Sequence, residues 1–134
     1  MKLKIFITVL FAAIALIHMT SYTPIQVPDG PHGGTIKKSG NFFIEMKNPY
    51  ERMYAYLFDR GMKPVSNKSV ICNVRFYYND STSTDMKLEP FEEEGFVSAS
   101  TVPDYATCKI MFNVGENIIE AKFDNSAFLV KTKK

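Results

Sequence analysis

The sequence predicts an all-β protein: an antiparallel, immunoglobulin-like β-sandwich of seven or eight short strands, preceded by a signal peptide. Three observations predict it. From residue 41 onward, apolar side chains recur at every second position, the period of a strand with one buried face. Clusters of turn-forming residues break that rhythm about every 8 to 12 residues. Beyond the N-terminal segment no stretch carries the apolar stripe of an amphipathic helix.

At the N-terminus, Lys2 and Lys4 precede the unbroken apolar run of residues 5–17, and a more polar stretch begins at His18. That is the order of a signal peptide, assigned to residues 1–22. A spanning helix needs about 20 apolar residues, more than this run supplies. No A-x-A-like triplet marks a cleavage point, so an uncleaved anchor is the alternative; no cysteine follows the run to accept a lipid. The expected location is outside the cytoplasm, in a periplasm or the extracellular space, with no membrane attachment after signal cleavage. Residues 23–40 contain Pro24, Pro28, Gly30, Pro31, Gly33, Gly34 and Gly40, and read as an extended lead-in. Residues 41–134 form the sandwich domain, enough chain for one core.

Phe42, Ile44 and Met46 share one face of a first strand over residues 41–47. In residues 53–58, Met53, Ala55 and Leu57 oppose Tyr54, Tyr56 and Phe58, and Asp59, Arg60 and Gly61 end the run with turn chemistry. Residues 69–78 place Val70, Cys72, Val74, Phe76 and Tyr78 on one side. A polar loop over residues 79–84 leads to a strand at 85–91, and Glu92, Glu93, Glu94 and Gly95 turn the chain into a strand at 96–100. Ala106, Cys108, Ile110, Phe112 and Val114 alternate in the next strand, which turns at Gly115 into residues 118–123. Residues 126–131 suggest a final edge strand.

Composition removes several function classes. The chain has 16 basic and 14 acidic side chains, and Lys2 and Lys4 in the export signal carry the excess, so the remainder is neutral. Without a basic face, nucleic acid is excluded as a partner, and so is an anionic lipid surface. With one histidine after residue 22 and no nucleophile elbow, no catalytic triad can be built, and the protein is read as non-enzymatic. The loop at residues 79–85 lacks the acidic spacing of a calcium loop. Glu92, Glu93 and Glu94 read as a solvated hairpin turn, and Asn67-Lys68-Ser69 matches a glycan acceptor.

Cys72 and Cys108 are the only cysteines, and both fall on apolar strand faces, beside Val70, Val74, Ile110 and Phe112. In an oxidising compartment they are expected to pair, closing a loop of about 36 residues that contributes roughly 3 to 4 kcal/mol. A thiolate metal or redox site is the alternative, but the C-x-x-C spacing is missing. Tyr54, Tyr56 and Phe58 make their strand apolar on both sides. Either it is buried twice, or its aromatic face is exposed to a partner or a sugar.

The segment Gly30-Pro31-His32-Gly33-Gly34-Thr35, followed by Gly40-Asn41-Phe42-Phe43-Ile44-Glu45, resembles the small periplasmic domain near the N-terminus of heavy-metal efflux pump adaptor (membrane fusion) proteins. Tyr56-Leu57-Phe58-Asp59 with Lys63-Pro64-Val65 extends the likeness over most of the chain after the signal. The long helical hairpin and barrel domains of the adaptors are lacking. The resemblance therefore implies an exported accessory protein of metal efflux or metal handling, partnered by a pump component or another envelope protein, with Cu or Zn as the implied metal. His32 is the candidate metal ligand, in the motif His32, Gly33 and Gly34. Met46, Met53, Met62, Met86 and Met111 could supply thioethers suited to Cu(I), although several fall on core faces. The structural alternative has the imidazole hydrogen-bonded to backbone and the two glycines in a turn with positive φ. The other functional class is an extracellular immunoglobulin-like binding or adhesion module for protein or glycan.

Overall fold

The computed structural model describes residues 30–49 and 51–125. The signal peptide expected at 1–22, the start of the expected lead-in and the edge strand expected at 126–131 lie outside the described residues. Eight strands follow in chain order: β1 (Thr35–Ser39), β2 (Phe42–Lys47), β3 (Tyr54–Phe58), β4 (Val70–Tyr77), β5 (Ser83–Phe91), β6 (Gly95–Ser98), β7 (Thr107–Val114) and β8 (Asn117–Asp124). A 3-10 turn at Asn67–Ser69 precedes β4. Seven strands fall where the two-residue period places them. β1 lies inside the expected lead-in, where Lys37 and Lys38 hide the alternation, and it pairs with β2 along its whole length, Thr35 opposite Met46 and Ser39 opposite Phe42.

All eight strands belong to one antiparallel sheet, in the order β1-β2-β3-β6-β5-β4-β7-β8. The β4–β5–β6 meander thus sits in reverse between β3 and β7. Two facing sheets were expected, and one curled sheet takes their place. Alternation reports that each strand buries one face, and a strongly twisted sheet can cover that face by curling around it. The curl brings β1 against β8, making the sheet nearly a barrel. At this seam, side chains replace a backbone ladder: Lys37 Nζ donates to the Lys122 carbonyl, and Ser39 Oγ donates to the Glu120 carbonyl at 2.7 Å.

The enclosed core comprises Ile44, Met46, Met53, Ala55, Leu57, Cys72, Val74, Phe76, Leu88, Phe96, Tyr105, Cys108, Ile110, Phe112, Ile119 and Phe123. Phe96 meets Phe112 edge-on at 5.6 Å, and Tyr105 closes one end with its ring 5.0 Å from Phe76. Met46 and Met53 are core residues; Met86 packs at the edge of the core and Met62 is exposed.

The expected disulfide is absent, and the register gives the reason. Cys72 on β4 lies opposite Phe112 on β7, whereas Cys108 lies opposite Phe76. The thiols share a face and neighbouring strands but sit four residues out of step, roughly 13 Å along the strand. A disulfide needs α-carbons within about 7 Å. Both are free, buried thiols, and burial raises the pKa of each, that of Cys108 to about 12.

Candidate functional site

The paired registers of β2 and β3 give their strands two distinct faces. Ile44, Met46, Ala55 and Leu57 point into the barrel. Phe43, Glu45, Tyr54, Tyr56 and Phe58 point outward, with Glu45 directly opposite Tyr56 and Phe43 opposite Phe58. The outward side is covered by the tight turn of residues 30–34, closed by Gly33 N–H to the Gly30 carbonyl (2.9 Å) and Gly30 N–H to the Gly34 carbonyl (2.8 Å).

Glu45 anchors this cover. Its side chain is 0 % exposed, a position that a carboxylate occupies only when its oxygens are supplied with donors. The His32 N–H donates to Oε1 at 2.8 Å, the Gly34 N–H donates to the same oxygen at 2.9 Å, and His32 Nδ1 lies 2.8 Å from Oε2. The tautomer with its proton on Nδ1 satisfies the last contact. The imidazole then lies flat on Tyr56, with ring centroids 3.6 Å apart and planes 6° from parallel, and tilts against Phe58 at 6.0 Å. The glycines are what let the turn approach so closely. A Cβ at Gly34 would stand 2.5 Å from the Met46 carbonyl, one at Gly30 would collide with the Glu45 carboxyl group, and Gly33 has φ of +81°.

His32 therefore has one polar atom left, Nε2, on a side chain that is 33 % exposed. It borders a basin of about 320 Å³ lined by His32, Tyr56, Glu92, Glu93, Glu94 and Gly95. The acidic turn between β5 and β6 is held in place from below. Asn67, itself buried, donates its side-chain amide to the carbonyls of Glu92 (3.2 Å) and Gly95 (2.9 Å), and its backbone N–H to that of Glu93 (3.0 Å). The glycan acceptor pattern at Asn67 is thus occupied by fold-stabilising hydrogen bonds. Burial raises the Tyr56 pKa, and the charges of Glu45 and Glu92 raise it further.

The structure brings His32, Gly33, Gly34, Tyr56 and Phe58 together, leaves half-buried Tyr54 against Phe91 at 5.2 Å, and keeps Cys72 and Cys108 apart in the barrel. Among the described residues no group of three His, Cys, Asp or Glu side chains is placed to hold a metal ion. Sequence reasoning named Glu45 only as the end of the motif and Asn67 only as a glycan acceptor, and assigned neither a role in the site. The doubly apolar run of residues 54–58 was the available signal for Glu45: if both faces of that strand are buried, a carboxylate on the adjacent strand is covered with it. The second half of the motif is also structural. Asp59 Oδ1 accepts from the N–H groups of Gly61 and Lys63, both at 2.9 Å, and the chain returns so that Val65 N–H donates to the Leu57 carbonyl at 2.9 Å.

Comparison with protein-family models, curated proteins and solved structures finds no match to this chain.

Proposed function

We propose that this chain is a non-enzymatic, exported accessory protein of the cell envelope, associated with heavy-metal efflux and acting by contact with a pump component or another envelope protein. One observation carries the reading: the residues on which the resemblance rests converge in space. His32, Gly33, Gly34 and Glu45 build the cover over the outer face, and Asp59 with Lys63, Pro64 and Val65 builds the adjoining turn. A motif used in this way supports kinship of fold with binding domains. Contact with Cu or Zn in this reading goes through His32 Nε2, with the remaining ligands supplied by the partner. Fractionation of cells expressing the tagged full chain, followed by Cu(I) and Zn(II) titration of wild type and His32→Ala, tests it. The expected result is envelope recovery with weak metal binding, near millimolar, that the substitution removes. Recovery in the cytosol with residues 1–22 intact would sink the export reading, and identical titrations of the two proteins would remove His32 from it.

A second reading, an extracellular binding module for protein or glycan, is favoured by Ile71 and Ile118. They are 48 % and 68 % exposed and flank Asn113 in one cross-strand row. Metal binding unchanged by His32→Ala, with ligand binding weakened by Ile118→Lys, would favour this second reading.

A further inference from the structure

We propose that the basin between His32 and the β5–β6 turn is a receptor for an arginine side chain presented by a partner protein. The inference rests on the contact role proposed for the chain and names the chemistry recognised. Three independent features converge on a cation. The first is charge: Glu92, Glu93 and Glu94 are exposed on the rim and no lysine or arginine lines the basin. The second is Tyr56, only 7 % exposed, whose hydroxyl makes no hydrogen bond to any described residue although it lines the basin. The ring is buried while the hydroxyl stays reachable from solvent, so a guest in the basin can take up its unused hydrogen bond. The third is His32, which lines the same space and whose Nδ1 is committed to Glu45, leaving Nε2 as the ring nitrogen able to accept.

The arrangement is also preformed. Asn67 fixes the carbonyls of the acidic turn, and Gly95 forms the floor because a Cβ there would lie 2.7 Å from the Tyr56 ring. Preorganised acceptors spare a guest the ordering cost of assembling them. The basin's size and the spread of its groups select the type of cation. A bare metal ion needs ligands converging on one point, and among the described residues no such trio exists. A space of about 320 Å³ suits an organic cation. Between the two basic side chains, arginine has a planar guanidinium whose fork of N–H donors can meet several separated acceptors at once, the carboxylates of the rim, the phenol oxygen and the imidazole nitrogen, where an ammonium is a single point charge.

The test is a nuclear magnetic resonance titration of the full chain, as the cell processes it, with Nα-acetyl-arginine amide, the uncharged citrulline isostere and zinc chloride. The expected result is saturable movement of the His32 ring and Gly95 amide signals by the arginine probe, with Kd about millimolar and weaker at high salt. Binding falls about tenfold in the double variant Glu92→Gln/Glu94→Gln, a change at exposed positions that leaves the fold intact, and less in Tyr56→Phe. Equal response to citrulline, or no response to arginine, overturns the proposal. Saturation by zinc at micromolar concentration with none by arginine overturns it in favour of a metal site. Export and the His32→Ala metal titration are read separately, so failure here leaves the broader functional reading standing or falling on its own data.

Discussion

The two faces of β2 and β3 are buried by different means. The inner face is covered by packing: Ile44, Met46, Ala55 and Leu57 lie against aromatic and aliphatic side chains from the far side of the same curled sheet. The outer face is covered by a five-residue turn that has little apolar surface of its own and is held by one carboxylate with three donors. Packing is non-directional and shared among many neighbours, so a defect inside the barrel is felt throughout the molecule. The outer cover depends on a few directed bonds to Glu45, so its failure is expected to stay local.

Four measurements break or sharpen this contrast. The largest effect belongs to Phe112→Ala, which leaves a cavity at the centre of the barrel. It should cost about 4 kcal/mol, and all probes of unfolding should shift together. Glu45→Ala should cost about 3 kcal/mol, because the buried donors of His32 and Gly34 lose their acceptor. Hydrogen exchange should then rise at the amides of residues 30–34 while those of β4 and β7 stay protected; equal loss in both places would erase the contrast.

The third measurement is alkaline unfolding. Burial raises the pKa of Tyr56 on the outer face and of Tyr105 in the barrel, the latter further. A raised folded-state pKa means the stabilising contribution is complete below the ordinary tyrosine value of about 10 and is lost as pH rises through the folded value. Tyr105→Phe should therefore extend stability to higher pH by more than Tyr56→Phe does, as followed by circular dichroism. The smallest effect is that of reductant. With Cys72 and Cys108 out of register, dithiothreitol should leave the melting temperature unchanged, and two thiols per chain should react once the protein is denatured. Two fewer mass units under non-reducing conditions would refute the observed register.

Much of the fold was legible in the residues. Seven of the strands follow from alternation beginning at Phe42, because a strand with one buried face must place an apolar side chain at every second residue. β1 was not legible: Lys37 and Lys38 are adjacent charges, and they are tolerated because Lys37 reaches across the seam to a β8 carbonyl, a partner 85 residues away. The site was legible in part. His32, Gly33 and Gly34 stand out as a motif, and the aromatic face of residues 54–58 stands out as doubly apolar. Nothing local indicates that the former covers the latter.

The sequence by itself determined seven of the eight described strands and the tight glycine turn around His32, since each is set by neighbours a few residues apart, and, by simple count, the neutral charge balance of the chain after its N-terminal segment. Only the tertiary structure decided that the sheet closes on itself, that Cys72 and Cys108 miss each other, and that Glu45 joins His32. Those outcomes depend on strand order and register, which come from the packing of residues distant in the chain. A shift of even one residue in pairing moves every side chain of a strand to its opposite face.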